Sequence, residues 1–395
     1  MYKLTTTAII ALLFLISCVN PTEQSEKSVE TKDDATIIET MDGEIYLFAG
    51  TYTSAGGSEG IYVYKFNTNN GSSDSLSMVK VNNPSYLTLS SDGNFVYSVE
   101  EDDQENSSVH SFSFDKERGI LTPINSQSTL GSGPCYITID NKDANIHTAN
   151  YGGGSISSFS VNNDGSLMPA NSVLVFDGSG PVSKRQENSH LHSIQYSPDG
   201  EYIFAADLGA DKIYRFNVFD TPFQGQPSLQ EASLKEFTLP EGTGPRHFVF
   251  HPYGGRYLYV LGELSGQIIA FDYNNGEITK KQTIVADSLN AQGSADIHIS
   301  PDGRFLYASN RLEGDGLTIF SINQEDGILT KLGYQPTGKH PRNFVITPNG
   351  KYLLVACRDD DKIQVFDIDE ETGLLSNTGK DIMISDPVCL IFADR

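Results

Sequence analysis

Apolar and polar residues alternate along this chain in short bursts, and the bursts recur as one repeated unit. In His192-Ser-Ile-Gln-Tyr-Ser-Pro-Asp-Gly200 the apolar positions Ile194 and Tyr196 fall two apart, the period of a strand. Pro-Asp-Gly then supplies a tight turn, with Pro presetting φ and Gly accepting positive φ. A second strand, Tyr202-Ile-Phe-Ala-Ala-Asp207, follows. The same unit returns at Arg246–Gly254 with Tyr257–Gly262, at Ala295–Gly303 with Phe305–Asn310, and at Arg342–Gly350 with Tyr352–Cys357. Weaker copies occupy Ser85–Gly93 with Phe95–Glu100, and Tyr136–Ala144 with Ile146–Tyr151. A third strand (Ile156–Val161, Ile363–Ile368) leads through a Gly-x-Leu turn at Gly165, Gly327 or Gly373 into a fourth.

Four antiparallel strands recurring every 47 to 56 residues make a propeller blade. A seventh unit begins at Tyr46-Leu-Phe-Ala-Gly-Thr51 without its own first strand. The chain ends on an unmatched strand, Pro387-Val-Cys-Leu-Ile-Phe392, which aligns with Pro341–Ile346. The expected fold is therefore all-β: a seven-bladed propeller over residues 43–395, its N-terminal blade completed by the C-terminal strand. Such closure removes an exposed sheet edge.

The N-terminus breaks this pattern. Lys3 precedes an unbroken apolar run of nine residues, Ala8–Ile16, well short of the roughly 20 needed to span a bilayer. Residues 1–17 read as a signal peptide. Leu15-Ile-Ser-Cys18 looks like a bacterial lipobox, with Cys18 as the lipidated residue. Residues 18–42 are polar, charged and free of aromatics, as expected of a flexible tether. The expected location is that of an exported bacterial lipoprotein, held on the periplasmic or cell-surface side by its lipid alone.

Composition narrows the function. The chain carries 51 acidic and 27 basic side chains, a net charge of −24, which excludes a general basic surface for nucleic acid or anionic lipid. Its 38% hydrophobic content is too high for a disordered acidic chain. With Cys18 lipidated, Cys135, Cys357 and Cys389 remain. A Cys357–Cys389 pair is conceivable, but an odd number favours three buried free thiols.

Propeller geometry turns the repeat into an expectation about the site. The start of each first strand and the end of each second strand should meet at one mouth of the channel. Seven residues before each turn Asp lie Ser85, Tyr136, His192, Arg246, Ala295 and Arg342. The second strands end in Thr51/Tyr52, Glu100/Glu101, Tyr151/Gly152, Asp207/Leu208, Gly262/Glu263, Asn310/Arg311 and Cys357/Arg358. This mouth collects four of the ten arginines. Clustered guanidiniums in an acidic protein point to an anionic ligand, at the position where propellers hold their ligands.

Other motifs carry less. Gly56-Gly-Ser-Glu-Gly60 lies in a loop between strands, not on the strand-to-helix elbow a nucleophilic serine needs. His190-x-His192 has no third ligand at metal spacing. Asp359-Asp-Asp361 lacks the rest of a calcium loop, and Gly152–Gly154 lacks the Lys-Ser/Thr and helix of a phosphate loop. No metal or cofactor is expected.

Several stretches together resemble the seven-bladed propeller lactonases, which include bacterial 6-phosphogluconolactonase and the fungal carboxymuconate cyclases. They are Ala149-Asn-Tyr-Gly-Gly-Gly154, Arg185-Gln-Glu187, His190-Leu-His192, Ala206-Asp-Leu-Gly209, Gly244-Pro-Arg-His247, Glu263-Leu-Ser265, Ala295-Asp-Ile-His298, Ser309-Asn-Arg311 and Pro341-Arg342. The resemblance spans the whole propeller and implies lactone chemistry, with His192, Arg246, Glu263 and Arg311 at the site. Asp296 stands where that family commonly has Glu, and Cys357 where it commonly has Asn.

Lactone hydrolysis needs a deprotonated water, a stabilised oxyanion and a protonated leaving alkoxide. Glu263 or His192 could be the base. We assign Glu263 as base, His192 as acid or substrate-orienting group, and Arg246 and Arg311 as anion clamps. His190, Arg342, Asn150, Tyr151, Asp207 and Asp296 are expected to shape the substrate pocket. The expected partner is a small anionic lactone, bound by a monomer. Two alternatives stand beside it: a lactone-forming muconate cycloisomerase, and a non-catalytic propeller that binds a glycan or protein. The exported address points away from the cytosolic 6-phosphosugar lactone itself, which affects the substrate more than the reaction class.

Overall fold

Seven antiparallel sheets, each with four strands on its main path, account for the chain in a computed structural model that describes residues 43–102, 107–219 and 228–393. The expected leader, Cys18 and the expected tether lie outside these residues. The innermost strands are Leu87–Leu89, Pro134–Ile139, Leu191–Tyr196, Pro245–Phe250, Ser294–Ile299, Pro341–Ile346 and Pro387–Ala393. Each packs on the next, and the last packs on the first, so they close a ring around one axis. The C-terminal strand pairs antiparallel with Glu44–Thr51, from Tyr46↔Ala393 to Thr51↔Pro387, as expected. We number the blades from this composite one; blades two to seven follow in chain order.

Burial explains the alternation. Inner and second strands are almost wholly buried between neighbouring blades, as in Tyr257–Gly262 and Tyr352–Cys357. Outer strands such as Leu229–Thr238 alternate between half-buried and exposed residues because they face solvent on one side. The core is thus a circle of clusters between blades, such as Ile45, Leu47 and Phe66 of blade one against Leu354 and Val365 of blade seven. Cys135, Cys357 and Cys389 are buried free thiols.

The inner turns carry one correction. In blade four the turn closes with the Gly200 N–H donating to the Ser197 carbonyl at 2.9 Å, Gly200 having φ +74°. In blade three it is Asp143, φ +54°, that donates to Asp140. Asp143 therefore occupies the turn's Gly position, not its Asp position. Counting back from it stops one residue short, so the ring residue of blade three is Cys135 and not Tyr136.

Candidate active site at the propeller mouth

A repeated defect in pairing aims the mouth residues. In four inner strands the register skips between Pro134 and Tyr136, Leu191 and Ser193, Pro245 and His247, and Pro341 and Asn343. Cys135, His192, Arg246 and Arg342 are left without ladder partners. Blade six skips further, over Ala295 and Asp296, and the closing strand skips Val388. A bulge bends its strand and re-aims a side chain, so the same defect points one residue per blade at the axis. Pro before the bulge in four of these strands (Pro134, Pro245, Pro341 and Pro387) gives up no ladder bond there.

The second strands split their two terminal residues between jobs. In blade three the pair is Asn150/Tyr151 and not Tyr151/Gly152, because that strand ends at Asn150 as the next blade's ends at Asp207; the first of each pair is spent inside the blade. Asn150 donates to Ser155 Oγ and Ser157 Oγ at 3.0 and 2.8 Å. Asp207 accepts from the His190, Gly209 and Ala210 backbone N–H groups and from Tyr214 OH. The second of each pair reaches the mouth in Tyr52, Glu101, Tyr151, Glu263, Arg311 and Arg358.

Glu263 is the hub. Its Oε1 lies 2.7 Å from Arg185 Nη2 and 3.3 Å from Arg311 Nη2, and its Oε2 lies 3.0 Å from Arg246 Nε. The Nε–H of Arg246 forms no aligned hydrogen bond despite that distance, so it remains a donor in search of an acceptor. His192 Nε2 stands 4.0 Å from Oε2. Beside it, Tyr151 stacks on His190 with centroids 4.4 Å apart and meets His192 edge-on at 5.3 Å. Across the mouth, Arg342 lies 5.2 Å over the Tyr52 ring and 3.7 Å from Glu101, which accepts from Tyr52 OH at 3.0 Å.

Electrostatics bears on two of the expected roles. Burial would raise the Glu263 carboxyl, but Arg311, Arg246 and Arg185 outweigh it and hold it at about 2. A carboxylate so strongly held accepts a proton weakly, and its two oxygens fix the guanidinium fan. Burial, then Arg246, His247 and Arg342, push His192 well below the ordinary imidazole range. His192 is therefore neutral at pH 7 and can donate as an acid only after it has taken a proton. Burial and the other arginines bring Arg311 down to about 9 despite Glu263, leaving it cationic at pH 7.

His192, Arg246, Glu263 and Arg311 thus converge, with His190, Tyr151 and Arg342 around them. Asn150, Asp207 and Asp296 face inward, their oxygens occupied by the fold. Reading the strands alone misses Arg185, which sits in the loop between Ser172–Val175 and Leu191–Tyr196. That loop is locked by buried Gln186, whose amide donates to Leu208 O and Asp211 Oδ1. The signal was present in Arg185-Gln-Glu187. His247, in the channel wall, is the second omission.

Known proteins resemble this sequence and fold. The family model described as "Lactonase, 7-bladed beta-propeller" matches residues 46–392. A 6-phosphogluconolactonase of Formosa agariphila is 39% identical over 345 residues, covering 86% of this chain and 97% of its own. A solved structure from Bacteroides fragilis superposes with a TM-score of 0.87 at 50% identity, covering 90% of this chain and 99% of its own. The Pseudomonas aeruginosa periplasmic gluconolactonase superposes with a TM-score of 0.82 at 33% identity, covering 89% and 99%. The chain belongs to the seven-bladed β-propeller lactonase family.

Proposed function

We propose that this protein is a lactonase that hydrolyses a sugar or phosphosugar lactone at the propeller mouth. One observation carries the reading. Four guanidiniums, Arg185, Arg246, Arg311 and Arg342, face only two carboxylates, Glu263 and Glu101. Two positive charges are left for a ligand, in a site where Arg246 and Arg311 are almost fully buried and their attraction for an anion is correspondingly strong. Arg246 and Arg311 hold the lactone carbonyl as it becomes an oxyanion, and Arg342 takes a further anionic group of the substrate. Activities named for relatives, 6-phosphogluconolactonase and periplasmic gluconolactonase, agree with this charge balance. The purified chain offered a panel of phosphorylated and plain aldonolactones in a pH-stat should accelerate acid release from at least one. Spontaneous opening alone across the panel overturns the reading.

The same proposal places the protein outside the cytosol, anchored through Cys18, and treats it as a monomer. Support comes from the leader and lipobox, and from the periplasmic gluconolactonase among its structural neighbours. Cys18→Ala should move the protein from the membrane to the soluble fraction and abolish labelling by a fatty-acid analogue.

A further inference from the structure

If Glu263 is not the base, another group must accept the proton of the hydrolytic water. Arg246 faces two ways: its Nε lies toward Glu263, while its Nη1 donates to Ala295 O and lies 3.4 Å from His247 Nε2. On that second side is a small chamber lined by Ser85, Cys135, Arg246, His247, Arg342 and Asn343, among others. It encloses about 10 Å³, room for one water.

Two groups on its wall bear on such a water: an unpaired Ser85 hydroxyl and the His247 ring, whose Nε2 is met only by a long contact from Arg246 Nη1 at 3.4 Å. Ser85 Oγ is buried and has no hydrogen-bond partner among the described residues; a buried unpaired hydroxyl calls for an explanation. His247 is fixed from behind. Its Nδ1–H donates to Asp296 Oδ1 at 2.7 Å, which leaves Nε2 as the acceptor. Asp296 is held in turn by His298 Nε2 at 2.9 Å, Asn343 Nδ2 at 2.6 Å and the Phe344 N–H at 3.2 Å. Buried carboxylate, imidazole and chamber therefore stand in sequence, ending on the guanidinium that we assign to the lactone carbonyl.

We propose that this chamber holds the hydrolytic water, that His247 is the general base that takes its proton, and that Asp296 is the positioning residue behind His247. The inference rests on the lactonase reading and extends it. Water gives a proton to Nε2 while its oxygen bonds to the carbonyl carbon. The carbonyl π pair moves onto oxygen beside Arg246. The ring C–O bond then breaks with its electron pair on the ring oxygen, which takes the proton back from His247. One water and one lactone become one hydroxy acid. Around His247 stand Arg246, His192 at 5.4 Å, and the rings of Tyr136 and Tyr86 at 5.3 and 5.8 Å. Burial and Arg246 bring its pKa down to about 4, so it is neutral at pH 7 and able to accept.

The test uses the full chain with 6-phosphogluconolactone and gluconolactone. His247→Gln should lower kcat by about a hundredfold or more while KM stays within about twofold, since a general base acts in the transition state. Asp296→Asn should do the same, because an amide facing Nδ1 imposes the wrong tautomer. Ser85→Ala, a small change that leaves folding intact, should lower kcat about threefold to tenfold with KM unmoved, the worth of one hydrogen bond to the water. A folded His247→Gln protein that keeps its kcat overturns the proposal. Should that variant not fold, an unchanged kcat in Ser85→Ala overturns it. Wild-type protein that turns over neither these nor any other lactone defeats the lactonase reading instead.

Discussion

Glu263 is the residue on which most of the mouth depends, and its value can be read from acid titration. Three guanidiniums lower its carboxyl to about 2 in the folded protein, against an ordinary glutamate value of about 4.3 in the unfolded chain. A lowered pKa stabilises the fold above the unfolded value, and that stability is lost as pH falls through the folded one. The shift corresponds to about 3 kcal/mol at pH 7, lost between about pH 4.5 and 2. Glu263→Gln should therefore lower the urea midpoint strongly at pH 7, leaving Arg185, Arg246 and Arg311 repelling one another. The gap to wild type should narrow by pH 3. An equal gap at both pH values would show that the carboxylate is not held as the geometry implies. The same substitution should raise KM for an anionic lactone, because the fan of donors loses its anchor.

Between residue and fold lies the blade, and here the sequence was most legible. Strand alternation and Ser-x-Asp-Gly turns follow from local physics, so blade number, closure and the two terminal rings could be read directly. The misplacement of Tyr136 has an equally local cause: an Asp can adopt the left-handed conformation of a turn Gly, and Asp143 does so at φ +54°. Arg185 and His247 could not be found by that route. One sits on a loop outside the repeat, and the other earns its position only through Asp296 on the next blade. The outer glycine turns hold a further lesson. Gly165, Gly276, Gly327 and Gly373 each press on an aromatic ring of the preceding blade: Phe95, Tyr202, Tyr257 and Phe305. These glycines clasp blades together as well as turning the chain. Gly327 and Gly350 separate the two effects, having φ +71° and +70°. A Cβ at Gly327 would lie 2.6 Å from the Tyr257 ring, whereas at Gly350 the nearest atom is 3.8 Å away. Gly350→Ala should cost about 1 kcal/mol from backbone strain alone. Gly327→Ala should cost about 3 kcal/mol, as overlap adds to the same strain. Equal losses in urea denaturation would refute the clasp.

At the scale of the whole molecule, charge and closure serve the same site. The net −24 does not reach the mouth, where Arg185, Arg246, Arg311, Arg342 and Arg358 make up half of the ten arginines. Arg215, Arg256 and Arg304 lie instead over the rings of Tyr202, Tyr257 and Phe305 in the blades. An acidic exterior and a cationic pocket can coexist because the ring gathers one bulged residue from each of several blades onto its axis. That gathering requires a closed ring. The closing strand is tied to the axis as well as to its own sheet: Leu390 N donates to Asn343 Oδ1 at 2.7 Å, and Asn343 Nδ2 donates to Asp296. Val388, Cys389 and Leu390 are 1 to 2% exposed, with Leu390 in the cluster that joins blades one and seven. Ending the chain at Asp386 would strip Glu44–Thr51 of a pairing partner, uncover that cluster and cut the Asn343 link. An exposed apolar edge is a template for aggregation. The truncated protein should lose its cooperative thermal transition and most of its solubility, whereas a chain begun at Gly43 should melt like the full-length protein. Cooperative melting with lactonase activity after loss of Pro387–Arg395 would mean that neither the ring nor its axial site depends on closure.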